Sequence, residues 1–223
     1  MIVQSAADAR AAEEGGADRL EIVREIECGG LTPPLDLVRT IAADTRLPLR
    51  VMVRENGGFT VASGRELAAL QRTFEALAAI GVDGAVVGFA RDGMLDLDTT
   101  RAVLSAAPDL RATFHRAFDT VRHPAAAIAE LAALPQIDRL LTSGGEGGWP
   151  QRCGQLAALS ALADGRMTLI AGWGVDAEGL SALAATRSVR EAHVGRAARE
   201  PQVQAAPVSI ERVRLLRRLA DRK

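Results

Sequence analysis

The sequence predicts an α/β fold, a closed (β/α)8 TIM barrel with a shortened first strand, on three observations. Short apolar runs alternate with amphipathic, Ala/Leu-rich stretches along the whole chain, as do strands buried on both faces and joined by helical crossovers. No change of composition marks a linker, so residues 1–223 read as one domain long enough to bury a large core. Seven clear strand-then-helix units, with the stub of an eighth at Met1-Ile2-Val3, suit a barrel of about 220 residues. An open doubly wound sheet is the alternative, but no GxGxxG follows the first strand.

The stub leads into a helical pattern from Ser5 to Glu14, and the next apolar run, Arg19–Ile22, is the first full strand. Strands then follow at Leu49–Val53, Asp83–Gly88, Arg111–Phe114, Arg139–Thr142, Met167–Ala171 and Arg190–Val194. Helices are expected at Pro34–Ala43, Gly64–Ile80, Asp96–Ala107, Pro124–Leu134, Gln151–Leu162, Ala177–Ala185 and Ser209–Asp221. Gly81, Asp83 and Asp138 punctuate helix-to-strand turns, Pro124 suits a first helical turn, and Gly165 follows a helix end.

Composition narrows the function. The net charge of -1 gives no overall field to attract nucleic acid, and the basic stretch Arg214 to Lys223 reads as a solvated helix end. No apolar run approaches the roughly 20 residues that span a bilayer, and no basic-then-apolar leader opens the chain, so a cytoplasmic protein is expected. Cys28 and Cys153 fit no zinc pattern or disulfide framework and read as reduced thiols. The only lysine is Lys223, the last residue, which excludes Schiff-base chemistry.

Side chains alternate along a strand, so one parity faces the barrel interior. Glu21, Arg54, Thr113 with His115, Thr142, and Glu191 with His193 all fall on it, near the strand ends where barrels do chemistry. Glu21, His115 and His193 are therefore acid/base candidates, while Arg54 and Arg116 suit a carboxylate or phosphate. Asp119 follows Arg116 by three residues and either joins the site or pairs along the rim. Glu21 and Arg54 should pair with each other or with a ligand, since either buried singly is unfavourable.

Gly172 and Gly174 follow one strand, and Gly195 with Arg196 the next, where many barrels hold a phosphate on backbone N–H groups. Thr142 and Ser143, before Gly144-Gly145, offer further donors. Cys28 follows the strand that carries Glu21. Its thiolate suits Cu(I), given His115, His193 or Met52 as a second ligand.

Several of these segments resemble the CutC family, usually called copper homeostasis proteins. They are Gly15-Gly16-Ala17-Asp18-Arg19-Leu20-Glu21, Gly29-Gly30-Leu31-Thr32-Pro33, Val51-Met52-Val53-Arg54, Gly81-Val82-Asp83-Gly84, Thr113-Phe114-His115-Arg116-Ala117-Phe118-Asp119 and Leu141-Thr142-Ser143-Gly144-Gly145. They keep the family's order between about residues 3 and 198. The resemblance implies a (β/α)8 barrel, a cytoplasmic location, a homo-oligomer (a homodimer is expected) and Cu(I) binding.

The chain departs from that pattern at Val23, where the family commonly has cysteine. It departs again at Arg54-Glu55-Asn56-Gly57-Gly58-Phe59, where an arginine-proline-arginine-glycine-glycine-aspartate run is usual. The short first strand is a third departure, implying imperfect closure or a truncated start, with an open edge. Two functions follow: copper homeostasis through Cys28, or an enzyme or binder acting on a small anionic metabolite through Glu21, His115 and the arginines.

Overall fold

A computed structural model describes residues 1–221; the basic C-terminal end expected to reach Lys223 lies partly outside them. Eight parallel strands form one curled sheet in the order β1 (Ile2–Val3), β2 (Leu20–Ile22), β3 (Leu49–Met52), β4 (Gly84–Val87), β7 (Arg111–Phe114), β8 (Ile137–Thr142), β9 (Thr168–Ala171) and β10 (Glu191–Ala192). Strands β5 (Ala90–Arg91) and β6 (Met94–Leu95) make a separate antiparallel hairpin. The crossovers are α1 (Ala6–Gly15), α2 (Leu35–Asp44), α3 (Gly64–Ile80), α4 (Leu97–Leu104), α5 (Pro124–Ala132), α6 (Trp149–Ala163) and α7 (Ala177–Thr186), and α8 (Ile210–Ala220) follows the last strand. The expected barrel class is the observed one.

Local chemistry sets the helix ends. Ser63 accepts from the Glu66 N–H while the Glu66 carboxylate accepts from Ala62, a reciprocal cap that starts α3, and Gly81 ends it in a left-handed turn. Outward-facing strand residues such as Val51, Val87, Phe114 and Leu140 pack against Phe74, Leu77, Ile128 and Leu156 of the helices. Each such side chain contributes roughly 1.5–3 kcal/mol on burial. A second, small apolar cluster of Ile2, Val23, Met52 and Val86 fills part of the barrel interior.

Below that cluster the interior is ionic. Arg50, 2 % exposed, donates from Nε to Asp83 at 2.7 Å and from both terminal nitrogens to Asp138 at 2.9 and 2.8 Å. Arg139 bridges Asp138 and Glu191, and Arg19 grips Glu191 at 2.7 Å. Gly84 makes the room: a Cβ there would lie 2.5 Å from the Arg50 guanidinium. Glu191 thus belongs to the floor, at the N-terminal end of the strands, and not to the mouth. Asp83 turns its carboxylate to Arg50, and the strand expected to start there starts at Gly84.

The seam between first and last strands is thin, as the short first strand implied. β1 and β10 have two residues each, and the Ile2 N–H donating to the Val194 carbonyl at 2.9 Å joins them. With so little of β1 to pair with, the last strand is shorter than the expected Arg190–Val194. Side chains reinforce the seam: buried Arg199 donates to the carbonyls of Ala206 and Ile2 and to Asp8, whose carboxylate also accepts from Gln4 and Val208 N–H groups.

Removing one partner from a buried ion network leaves the others uncompensated. Arg50→Ala should therefore lower the unfolding free energy by about 3–5 kcal/mol. Urea titration checks this, and an unchanged midpoint would show that the floor does not hold the barrel together.

Candidate functional site

At the C-terminal end of β7 the chain still pairs with β4, the His115 N–H donating to the Val87 carbonyl at 2.8 Å, and then tightens into a 3-10 turn over Arg116–Thr120. His115 caps that turn: its Nδ1 accepts from the Ala117 N–H at 3.1 Å. An acceptor at Nδ1 places the proton of the neutral ring on Nε2. Nε2 is buried and has no hydrogen-bond partner. Burial first, then the nearby Arg54 charge, push the His115 pKa down to about 3, with Glu21 opposing and Arg116 adding to the fall. At neutral pH His115 is thus a neutral ring with a buried, unpartnered N–H donor, rather than the acid/base its residue type suggested.

The ring is held on its other sides by Phe59, 5.4 Å away between centroids, and by Gly88, where a Cβ would stand 2.4 Å from Nδ1. Neither residue was singled out in the sequence. The two rules that would have found them are that a glycine ending a strand marks a close approach and that an aromatic beside an arginine marks a stack.

Arg54 and Glu21 do not pair. Arg54 donates to the carbonyls of Gly29, Gly57 and Gly58 and lies over Phe59, 5.0 Å from the ring centroid. Burial and Arg116 depress its pKa, with Cys28 opposing. Glu21 instead faces His193, Oε2 to Nε2 3.0 Å, with Nε2 too poorly aligned for a hydrogen bond. Burial, the largest influence, would raise the Glu21 pKa, but His193, the N-terminal ammonium and His115 together outweigh it and hold the carboxyl below its ordinary range. Carbonyls take the place of a carboxylate at Arg54, two from its own loop and one from the loop after β2.

Asp119 is committed to structure. Its carboxylate accepts from Arg116 Nε at 3.0 Å, from the Thr142 hydroxyl at 2.6 Å and from the Ser143 N–H at 3.1 and 3.2 Å. Thr142 therefore does not face the interior. β8 begins at Ile137 and its inward residues are Arg139 and Leu141, so Thr142 turns to the rim and ties Asp119 to the Ser143-Gly144 loop. Buried Arg152 of α6, unmarked in the sequence because helical arginines are usually solvated, locks the neighbouring loops. It donates to the carbonyls of Ser143, Gly172 and Trp173 at 2.7, 2.6 and 2.9 Å and stacks on Trp149.

Arg116, held by Asp119 at Nε, lies 3.8 Å from the ring centroid of Trp173. Its terminal nitrogens have no partner among the described residues. Gly172 is buried and Gly174 exposed on either side of Trp173, while Gly195 and exposed Arg196 open a short 3-10 turn, Arg196–Ala198, after β10. Cys28 is exposed in the Ile26–Cys28 turn, within electrostatic reach of Arg54. Among the described residues no three His, Cys, Asp or Glu side chains gather closely enough to hold a metal ion.

A cavity of about 410 Å³ opens at the opposite end of the barrel and reaches Glu21, Thr113 and His193 past Arg19, Arg50 and Glu191. Those floor charges neutralise one another. The mouth carries the unpartnered His115 donor and two arginines, Arg54 and Arg116.

A sequence model of the CutC family matches residues 1–198. This chain belongs to the CutC family. A family protein CutC of Xylella fastidiosa is 36% identical over 191 residues, covering 85% of this chain and 71% of the relative. Its counterpart in Xanthomonas campestris pv. campestris is 35% identical over 194 residues, covering 86% and 80%. Among solved structures, a Streptococcus agalactiae protein proposed to be the copper homeostasis protein CutC superposes with a TM-score of 0.79 at 23% identity, covering 86% of this chain and 95% of that one. This likeness shows a shared barrel. In this CutC-family chain Val23, in place of the usual cysteine, is fully buried beside Met52.

Above about pH 6.5 His115 is neutral in folded and unfolded chains alike and adds no pH dependence. Below it the unfolded chain takes up a proton that the folded ring refuses until about pH 3, so stability falls as pH is lowered across that window. His115→Asn, which keeps a capping acceptor, should remove a destabilisation on the order of 3 kcal/mol at pH 4. Urea unfolding at pH 7 and pH 4 checks this, and equal pH dependence in the two proteins would show that the ring is not held neutral. Gly88→Ala should displace the imidazole and lower stability by about 1–3 kcal/mol, read by urea unfolding and by the His115 ring resonances.

Proposed function

We propose that this barrel binds a small metabolite bearing a phosphate or carboxylate at its C-terminal mouth. The observation that carries the reading is the buried His115 Nε2–H, which has no partner and lies within the field of Arg54 and Arg116. A buried donor without an acceptor is unfavourable by about 1–3 kcal/mol, and a ligand oxygen removes that penalty. The free ends of Arg116 supply a bidentate grip on the same acid group, and the glycine loops at Gly172, Gly174 and Gly195 let the backbone come close. Deeper in, the ionised Glu21 beside His193 gives the site a group that can hold or pass a proton, so any chemistry on the ligand is proton transfer.

Copper homeostasis, the role in the name of the Streptococcus agalactiae protein, is the second reading and comes from the family. The donor set here does not fit a preformed Cu(I) site. Cys28 is a single exposed thiol, the Arg54 guanidinium nearby opposes a bound cation, and valine fills position 23. A homodimer in the cytoplasm is carried over from the resemblance as part of this proposal. Light scattering giving a monomer at micromolar concentration would contradict the dimer.

Calorimetric titration with inorganic phosphate and small carboxylates tests the first reading. Binding should weaken roughly tenfold to a hundredfold in His115→Asn and in Arg116→Met, the loss expected of one donor in a buried site. Unaltered binding in both variants would move the ligand elsewhere. In an anaerobic Cu(I) competition against a chromogenic chelator, stoichiometric uptake lost in Cys28→Ser would establish the copper reading in its place.

A further inference from the structure

Trp173 is the one large aromatic side chain among the described residues that stands open at the mouth. It is 62 % exposed, whereas Trp149, the other tryptophan, is 7 % exposed. Its backbone is left-handed, at φ 60°, a conformation that glycine accepts freely and a bulky residue does not. Gly174 beside it is also left-handed, at φ 70°. Two contacts hold the tryptophan there. Arg152 donates to its carbonyl at 2.9 Å, and Arg116 covers one face of its indole, 3.8 Å from the ring centroid to Cζ.

A solvent-exposed indole held in a strained backbone by a buried arginine contributes little to the core. Its position is what the arrangement secures. The covered face rests on the same guanidinium whose terminal nitrogens are open toward the ligand, so the acid group and the indole share one anchor. Among the described residues no aromatic ring and no second guanidinium lies against the indole.

We infer that Trp173 is a specificity-determining platform on which an aromatic ring of the anionic ligand stacks, its acid group meeting Arg116 and His115. This rests on the anion-binding reading above. The cation behind the indole selects the kind of ring. Arg116 draws π density toward the covered face and leaves the open face poorer in electrons. Such a face favours an electron-rich aromatic ring in offset stacking over the C–H groups of a sugar, which prefer an electron-rich face. The ligand class is therefore an aromatic or heteroaromatic phosphate or carboxylate, in preference to a bare sugar phosphate.

Two matched probe pairs test this on the full chain by calorimetry, with Trp173 fluorescence as a second signal: phenyl phosphate against methyl phosphate, and adenosine 5′-monophosphate against ribose 5-phosphate. In the native protein the aromatic member of at least one pair should bind about three- to tenfold more tightly, the range expected of one stacked pair. Trp173→Gly, which relieves the left-handed backbone, should bring that ratio to about one, the ratio being read independently of any change in acid-group affinity common to both members. Trp173→Phe should retain the preference. Equal affinities within both pairs would overturn the inference and leave the anion site standing, as would a preference that survives Trp173→Gly. Failure of all four probes and of inorganic phosphate to bind would overturn both.

Discussion

The guanidinium of Arg50 is the charge around which the barrel closes. It reaches Asp83 from the strand beside its own and Asp138 from across the sheet, and Asp138 passes the connection through Arg139 and Glu191 to Arg19. Three arginines and three carboxylates on five consecutive or facing strand starts thus hold the floor in register, and they do so only because Gly84 offers no side chain. Above the salt-bridged floor, Ile2, Val23, Met52 and Val86 give the barrel an apolar waist. The seam can then be slight, since Arg199 and Asp8 need only tie the last loop to the first strand and helix.

Alternation of apolar and amphipathic runs made the barrel legible, because parallel strands covered on both faces leave that pattern in any sequence. α3 was readable to its ends, since its cap and its terminating glycine are both local. Side-chain direction was less so. Thr142 was placed inward with the other polar residues near strand ends, but an alternating pattern shifts face with one residue of phase, and β7 and β8 slip register between Ala112 and Thr113. The floor escaped notice for the same reason: Asp83 and Asp138 look like ordinary turn residues until the fold sets them opposite Arg50. Arg152, Phe59 and Gly88 matter through contacts between distant segments, which one sequence does not display.

The TFHRAFD segment divides its labour in a way its residue types did not foretell. Asp119 fastens the rim, Arg116 is fastened by it, and His115 gives one nitrogen to the backbone and leaves the other without a partner. Nδ1 is used up by the backbone, which fixes the tautomer, and burial beside Arg54 keeps the ring neutral. A motif that reads as an acid, a base and a cation is in the folded chain a strut, a clamp and a donor.

The two ends of the barrel handle buried arginine in opposite ways, and the contrast underlies the proposed anion site. On the floor every guanidinium meets a carboxylate, so the charges sum to zero. At the mouth Arg54 meets only carbonyl oxygens, whose dipoles solvate a cation locally without cancelling its charge. Arg116 shares Asp119 with Thr142 and Ser143, and His115 contributes no charge. Two cations against one carboxylate leave an excess of positive charge in a half-enclosed space, where water screens it weakly. Glu21 lies away from this group, facing His193 at 3.0 Å. This excess of positive charge is what supports the proposed anion reading over a bare metal cation at the same place.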